Sequence, residues 1–222
     1  MATMLSRRAA LAGLGAAAFA ARAAAQDKPL MGDDGKPAVA WRLPSEIGLD
    51  APGVIVVGGR SPDVIVTEFF DYNCPWCKKS ARDIDAFVTK DREFRLRLVQ
   101  NAILSLGSVQ AAKVVVAAQM TAGDASAYAL HMKLLSARGQ VDGLVALAAA
   151  EGLKLDRKAI EDRADSDAMR TAIKRHVAMA SSLGMEATPS FAINGMGVGG
   201  WPGPKTLQRI VKAVRACDAI VC

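Results

Sequence analysis

Two cysteines stand two residues apart in the stretch Cys74-Pro75-Trp76-Cys77. The run before them, Val64 to Phe70, is rich in β-branched and aromatic residues and predicts a buried strand. After them, apolar residues recur at helical spacing, which predicts a helix that begins at the cysteines. The pair therefore lies where a strand ends and a helix begins, and the two intervening residues bring the sulfurs within bonding distance.

This placement favours redox chemistry, because the free N–H groups at a helix N-terminus stabilise negative charge. Thiols of Cys-x-x-Cys pairs in such sites have pKa values of about 3.5 to 7.5. Cys74, at or just before the helix start, is predicted to be the exposed thiol, and Cys77, one turn further on, the shielded one. Pro75 suits the first helical position, where its missing N–H costs nothing. The pattern indicates a thiol–disulfide couple.

Two other interpretations of the pair stay open. The cysteines could be inert buried thiols, or they could bind zinc together with other sulfur and nitrogen ligands. The chain offers four such ligands: Cys217, Cys222, His131 and His176. Zinc-knuckle cysteines usually sit in tight polar turns, and both histidines lie in Ala-rich segments, so no metal site is predicted.

The remaining pattern predicts an α/β domain. Strand-like runs lie on both sides of a long Ala-rich stretch that contains no proline, which indicates several successive helices. The predicted strands begin near Val54, Val64, Phe94 and Ser190, with a hairpin at Asn194-Gly195, and an apolar stripe from Leu207 predicts a last helix. We expect one domain, residues 54–222, whose sheet is split by a helical insertion at about 106–185.

The first 25 residues have the features of an export signal. Arg7 and Arg8 precede a weakly apolar, Ala-rich run, and small residues end at Ala25. We predict cleavage after Ala25, by either the twin-arginine or the ordinary secretory route, and a periplasmic location in which disulfides persist. Residues 26–53 are expected to form an irregular leader, with one short strand near Val39 to Arg42.

Net charge argues against a nucleic-acid partner. The formal charge is +6, and three of the arginines lie within the predicted signal. No basic run with interleaved aromatic residues occurs. No nucleic-acid partner is therefore predicted.

A second motif, Ala187-Thr188-Pro189-Ser190-Phe191, follows the cysteine pair after some 110 residues. Together with the strand that ends in Cys74-Pro75-Trp76-Cys77, it makes the sequence resemble the DsbA-like thiol–disulfide oxidoreductases of the thioredoxin superfamily. The resemblance covers roughly Val54 to Ala216. It implies a thioredoxin fold with a helical insertion between the two halves of the sheet, and no cofactor.

The resemblance also assigns roles to other residues. Pro189 corresponds to the cis-proline that faces the cysteines, and Thr188 precedes it; both would bind client peptides, with Pro75 and Trp76 beside them. Glu68 corresponds to a buried acid that aids proton transfer to and from the inner cysteine. A carboxyl in an apolar strand has a raised pKa, which suits this task. Alternatively, Glu68 is a structural acid paired with a base, and Pro189 is a trans proline that opens a strand.

The predicted function is the introduction of disulfides into cysteine-containing client proteins, with a membrane redox partner that reoxidises the enzyme. Trp76 stands where the strongly oxidising members have histidine, so an oxidant of intermediate strength is expected. Thr188 stands where DsbA itself commonly has valine, and a threonine at this position resembles the disulfide isomerases. An isomerase or reductase is therefore the alternative. The short leader offers no dimerisation domain, which favours a monomer. A copper-binding protein is a further alternative, although the methionines are scattered.

The last two cysteines, Cys217 and Cys222, are predicted to form a structural disulfide. Five residues of α-helix rise about 7.5 Å, which exceeds the Cα separation of about 7 Å that a disulfide can bridge. The last helix must therefore end near Cys217, and the chain must fold back. The alternative is two unpaired terminal thiols.

Overall fold

The computed structural model describes residues 29–44, 49 and 51–222; the predicted signal, residues 1–25, lies outside them. The strands of the described chain are β1 (Val39–Arg42), β2 (Ile55–Gly58), β3 (Val64–Phe70), β4 (Phe94–Gln100), β5 (Ser190–Ile193) and β6 (Met196–Gly199). They form one sheet in the order β1-β6-β5-β3-β4-β2. The strands β3 and β4 are parallel, and the other neighbours are antiparallel.

The helices of the described chain are α1 (Pro75–Lys90), α2 (Leu106–Leu135), α3 (Gly143–Glu151), α4 (Arg157–Ala164), α5 (Asp167–Ser182) and α6 (Pro204–Cys217). Gly123, with φ 80°, divides α2 into two helical segments. The four helices between β4 and β5 each begin after a side chain that accepts a hydrogen bond from the backbone N–H three residues on. These N-cap residues are Ser105, Asp142, Asp156 and Ser166.

The strand β3 lies at the centre of the sheet, between β4 and β5, and positions the cysteine pair. Its residues alternate between two packed faces. Phe70 joins the larger hydrophobic cluster, which contains residues of α1, α2 and α6, whereas Phe69 joins a smaller cluster that includes Ala180 of α5. Because both faces are covered, the apolar run predicted as a buried strand has almost no exposed residue. The architecture confirms the predicted α/β fold with a helical block between the two halves of the sheet.

The leader contributes more to the fold than the sequence pattern indicated. Its strand β1 extends the sheet by pairing with β6. The Trp41 ring covers Gly197 of β6, where a Cβ would collide with it, and the indole Nε1 donates to the Leu183 carbonyl at 2.9 Å. Asp33 accepts hydrogen bonds from the backbone N–H groups of Lys205 and Thr206 and so caps α6. The strand β1, Trp41 and Asp33 therefore belong to the folded domain, although all three precede position 54.

Across the described part of the chain, no helix combines the length and the apolar character that spanning a bilayer requires.

Candidate active site

The cysteine pair lies at the junction of β3 and α1. Cys74 is the N-cap residue of α1, Pro75 opens the helix, and Cys77 lies one turn in. Cys77 is fully buried and Cys74 is 4% exposed, so the structure differs from the prediction of an exposed Cys74. The reason is the loop before β5, which lies over the sulfur. Both thiols are free in the structure.

That loop contains Thr188 and Pro189, joined by a cis peptide bond. The Cys74 thiol donates a hydrogen bond to the Thr188 carbonyl at 3.0 Å. The Pro189 carbonyl accepts from the backbone N–H of Gly200 at 2.9 Å, which fixes the loop to the end of β6. The structure therefore brings Cys74 together with Thr188 and Pro189, which follow it by more than 110 residues in the sequence. Beside them, the Trp76 side chain is 55% exposed.

The surroundings of Cys74 favour its thiolate. A hydrogen bond from the Cys77 thiol is the main cause, and it lowers the pKa of Cys74 to about 6 even though burial opposes ionisation. The Thr188 side chain and the backbone N–H groups of Cys77 and Trp76 lower the pKa further. The sulfur makes no capping hydrogen bond in the structure, but its place at the N-terminus of α1 favours a negative charge.

The surroundings of Cys77 have the opposite effect. Burial raises the pKa of this thiol well above its ordinary range, and its hydrogen bond to Cys74 and the nearby Glu68 carboxylate raise it further. At neutral pH the pair is therefore one thiolate and one thiol. The two sulfurs differ in charge because one lies at the helix end and the other within the core.

Glu68 lies in β3 on the face that Phe70 shares with α1. The side chain is 2% exposed, and in the described part of the chain its Oε1 has no hydrogen-bond partner. Burial, with a smaller contribution from the charge of Cys74, raises the pKa of Glu68 to about 8. Because its pKa is raised to about 8, the carboxyl is mostly neutral at pH 7.

The lysines of the first turn of α1 are directed away from the sulfurs. The Lys78 ammonium donates to the carbonyls of Ala137 and Gly139, at 3.1 and 2.7 Å. The Lys79 ammonium lies 4.8 Å from the centroid of the Trp76 ring, which is a cation–π contact. Neither lysine is among the causes that lower the pKa of Cys74. The stabilisation of the Cys74 thiolate therefore comes mainly from the start of α1 and from the Cys77 thiol.

Two polar residues that the sequence analysis did not single out precede the cysteines. Asp71 is buried, and its carboxylate accepts four hydrogen bonds, including those from the backbone N–H groups of Asn73, Ile103 and Leu104. Asn73 donates to the Ser108 hydroxyl in the first turn of α2 and to the Val141 carbonyl in the loop that follows this helix. The sequence signal that could have identified these two residues is the polar Asp-x-Asn pattern between a buried strand and a cysteine. Asp and Asn in such positions form turns in which the side chain binds a nearby backbone N–H.

The candidate zinc ligands do not converge. His131 is buried against Phe70, and its Nδ1 is 3.4 Å from the Tyr72 hydroxyl; burial lowers the pKa of this histidine to about 3. The buried His176 accepts from the backbone N–H of Gln100 and contacts the Pro52 carbonyl. Across residues 29–44, 49 and 51–222, no group of three or more potential metal ligands occurs. The histidines are core residues.

Cys217 and Cys222 lie at the far end of α6. The structure joins them in a disulfide with an S–S distance of 2.04 Å and a Cα–Cα distance of 6.4 Å. The helix ends at Cys217, and Asp218, with φ 55° in the left-handed region, turns the chain back. Ala219 and Ile220 are buried by this turn.

Known proteins share this architecture. The family model described as thioredoxin matches residues 50–213. A thioredoxin-like oxidoreductase from Silicibacter pomeroyi is 30% identical, with a TM-score of 0.68 over 74% of this chain and 93% of that one. No protein of curated function matches the sequence.

Two further solved structures have the same fold at lower identity. The thiol-disulfide exchange protein α-DsbA2 from Wolbachia pipientis is 22% identical, with a TM-score of 0.68 over 75% of this chain and 88% of that one. BdbD from Bacillus subtilis is 20% identical, with a TM-score of 0.64 over 80% and 97%. With a family match over most of its length and a Cys-x-x-Cys pair at the start of α1, the chain belongs to the thioredoxin family.

Proposed function

We propose that the protein is an exported oxidase that introduces disulfide bonds into cysteine-containing client proteins through Cys74 and Cys77. The observation that carries this proposal is the unequal environment of the two sulfurs. The pKa of Cys74 is lowered to about 6, whereas burial raises that of Cys77. A low pKa of the attacked cysteine stabilises the reduced enzyme and makes the disulfide form an oxidant.

In the first step, a client thiolate attacks the Cys74 sulfur of the Cys74–Cys77 disulfide. A bond forms between the client sulfur and Cys74, and the Cys74–Cys77 bond breaks with its electron pair on Cys77. The Cys77 thiolate is buried and takes up a proton, for which Glu68, with a pKa raised to about 8, is the nearby acid. The loop of Thr188 and Pro189 holds the client segment beside Cys74.

In the second step, another client thiolate attacks the client sulfur of the mixed disulfide. The client disulfide forms, and Cys74 leaves as a thiolate. The client has lost two electrons, and the enzyme has gained them as one thiolate and one thiol. A membrane redox partner then removes the two electrons and passes them to quinone.

Location and assembly complete the proposal. The predicted signal, residues 1–25, and the resemblance to exported enzymes support a periplasmic protein, and one solved structure of the same fold is a periplasmic thioredoxin-like protein from Salmonella enterica, at 23% identity. We propose a monomer. In the structure β1 pairs with β6 of the same chain, so this part of the leader is used inside the fold.

An isomerase or reductase is the second candidate, and Thr188 is the residue that favours it. The Thr188 carbonyl lies 3.0 Å from the Cys74 sulfur, so the residue that resembles those of isomerases contacts the attacking cysteine directly. In an isomerase the same thiolate would attack scrambled client disulfides, and the enzyme would have to be kept reduced.

The experiment that separates the two candidates uses ribonuclease A in two forms, reduced and unfolded, or with scrambled disulfides. The oxidised mature protein should restore activity to the reduced form, with Cys74→Ser as the inactive control. The oxidase proposal is wrong if the protein rescues the scrambled form efficiently and barely oxidises the reduced one.

A further inference from the structure

Asn73, the residue directly before the nucleophile, uses both polar atoms of its side-chain amide in hydrogen bonds. Its Oδ1 accepts from the Val141 backbone N–H at 2.7 Å, and its Nδ2 donates to the Val141 carbonyl at 2.9 Å. The same nitrogen lies 3.0 Å from the Ser108 hydroxyl and 3.3 Å from the Ser105 hydroxyl. The amide therefore joins the start of α2 to the loop that follows this helix.

The turn that contains Asn73 is fixed at its other end by Asp71. The Asp71 carboxylate accepts from the Asn73 backbone N–H at 2.7 Å, and the Asp71 carbonyl accepts from the Cys74 N–H at 3.1 Å. The Ser108 hydroxyl that receives the Asn73 amide also donates to Asp71, at 2.7 Å. Residues 71–74 thus form one hydrogen-bonded unit with the beginning of α2.

We propose that Asn73 is a positioning residue, which holds the Cys74 sulfur at the N-terminus of α1 by joining the redox turn to the helical insertion. This inference rests on the proposed function, because it concerns the nucleophile of that reaction. The hydrogen bonds of the Asn73 side chain go to Ser105, Ser108 and Val141 and not to the Cys74 sulfur.

The position of the sulfur matters because every group that stabilises its thiolate acts at short range. These groups are the Cys77 thiol, the Thr188 side chain and the N–H groups of the first turn of α1. Cys74 is the N-cap residue, with φ −77° and ψ 119°: its carbonyl accepts the first helical hydrogen bond, from the Lys78 N–H at 3.1 Å, but its own N–H lies outside the helical ladder. The contacts of the preceding residue add to the fixation of Cys74. They also link the redox turn to a helical block far along the chain.

The test is the ionisation of Cys74 in the reduced protein, followed by thiolate absorbance at 240 nm against pH. The wild type should titrate near pH 6, and Asn73→Ala at a higher pH. A rise of about one in the pKa would lower the thiolate fraction at pH 6 about fivefold. It would also change the equilibrium constant with glutathione about tenfold towards a weaker oxidant.

Asp33→Ala is the matched control, because the Asp33 carboxylate also accepts several hydrogen bonds, but from Lys205 and Thr206 of α6 and not from the turn of residues 71–74. It should lower stability and leave the titration of Cys74 unchanged. An unchanged titration in Asn73→Ala, or an equal change in both variants, overturns the proposal. If Asn73→Ala does not fold, Ser108→Ala removes one partner of the amide and should shift the titration in the same direction; no shift there overturns it as well. A wild-type midpoint near pH 9 would instead contradict the proposed function.

Discussion

The molecule contains two cysteine pairs, and each lies at the end of a helix, but at opposite ends. Cys74 and Cys77 open α1, whereas Cys217 closes α6 and Cys222 follows it. At the start of a helix the free backbone groups are N–H donors, and at its end they are carbonyl oxygens. A thiolate is therefore stabilised at the first pair and opposed at the second.

This difference separates a redox couple from a structural bond more clearly than the cysteine spacing does. The first pair lies under the loop of Thr188 and Pro189, which we propose as the client-binding loop. The second pair closes a short turn whose residues Ala219 and Ile220 pack into the protein. We expect the first pair to exchange with thiols and the second to stay oxidised.

The largest effects should follow from changes in the first pair. Cys74→Ala should abolish exchange, because the thiolate with the lowered pKa is lost, and should trap no client. Cys77→Ala should accumulate mixed disulfides between Cys74 and clients, since the resolving thiol is missing. Non-reducing electrophoresis with a reduced client measures both results. Equal amounts of mixed disulfide from the two variants would contradict the assignment of Cys74 as nucleophile and Cys77 as resolving thiol.

Glu68→Gln should change the pH dependence of stability and should also slow catalysis at the first pair. The pKa of Glu68 is about 8 in the fold and 4.5 as the ordinary value, so the unfolded chain releases this proton at lower pH. The free energy of unfolding therefore falls as pH rises from 4.5 towards 8, and at pH 7 the loss is about 3 kcal/mol.

The Gln variant should lack this loss, so its stability relative to wild type should be greater at pH 7 than at pH 4. Urea unfolding of the reduced proteins at the two pH values measures the difference. Catalysis should nevertheless slow, because the proton carrier is gone. A pH-independent difference in stability would mean that Glu68 is ionised in the fold.

Removal of the second pair should affect stability without affecting exchange. The double variant Cys217→Ala, Cys222→Ala opens a loop of five residues. The chain-entropy relation gives a loss of about 2 kcal/mol in the free energy of unfolding. Urea unfolding and an exchange assay on the same preparation check the two parts. A large loss of exchange activity would show that the second pair takes part in the reaction.

The smallest effect is expected for Lys78→Met. The Lys78 ammonium is bound to the carbonyls of Ala137 and Gly139, so its charge contributes little at the sulfur. We expect the pKa of Cys74 to change by less than about 0.5, as for a partly exposed charge that acts through solvent. Thiolate absorbance at 240 nm measures this value. A large rise would mean that the first turn of α1 acts through its lysines.

Much of this arrangement could be predicted from the sequence, because it depends on local patterns. The buried strand β3, the start of α1 at Pro75 and the end of α6 at Cys217 follow from residue types and spacing. The cis bond before Pro189 came from family resemblance alone, since few X–Pro bonds in folded proteins are cis.

The remaining features depend on contacts between distant parts of the chain. The Asn73 amide reaches Val141, 68 residues away, and the Asp33 carboxylate reaches Thr206, 173 residues away. No periodicity in the sequence indicates such pairs. The shielding of Cys74 was missed for the same reason, because the covering Thr188 is 114 residues away.

The measurement that tests the central claim most directly is an equilibrium of the mature protein with glutathione buffers, in which mass spectrometry locates the oxidised cysteines. We predict that Cys74 and Cys77 become reduced over a range of buffer ratios in which Cys217 and Cys222 remain bonded. The fitted constant for the first pair should indicate an oxidant of intermediate strength. Reduction of the C-terminal pair first, or of both pairs together, would contradict the account.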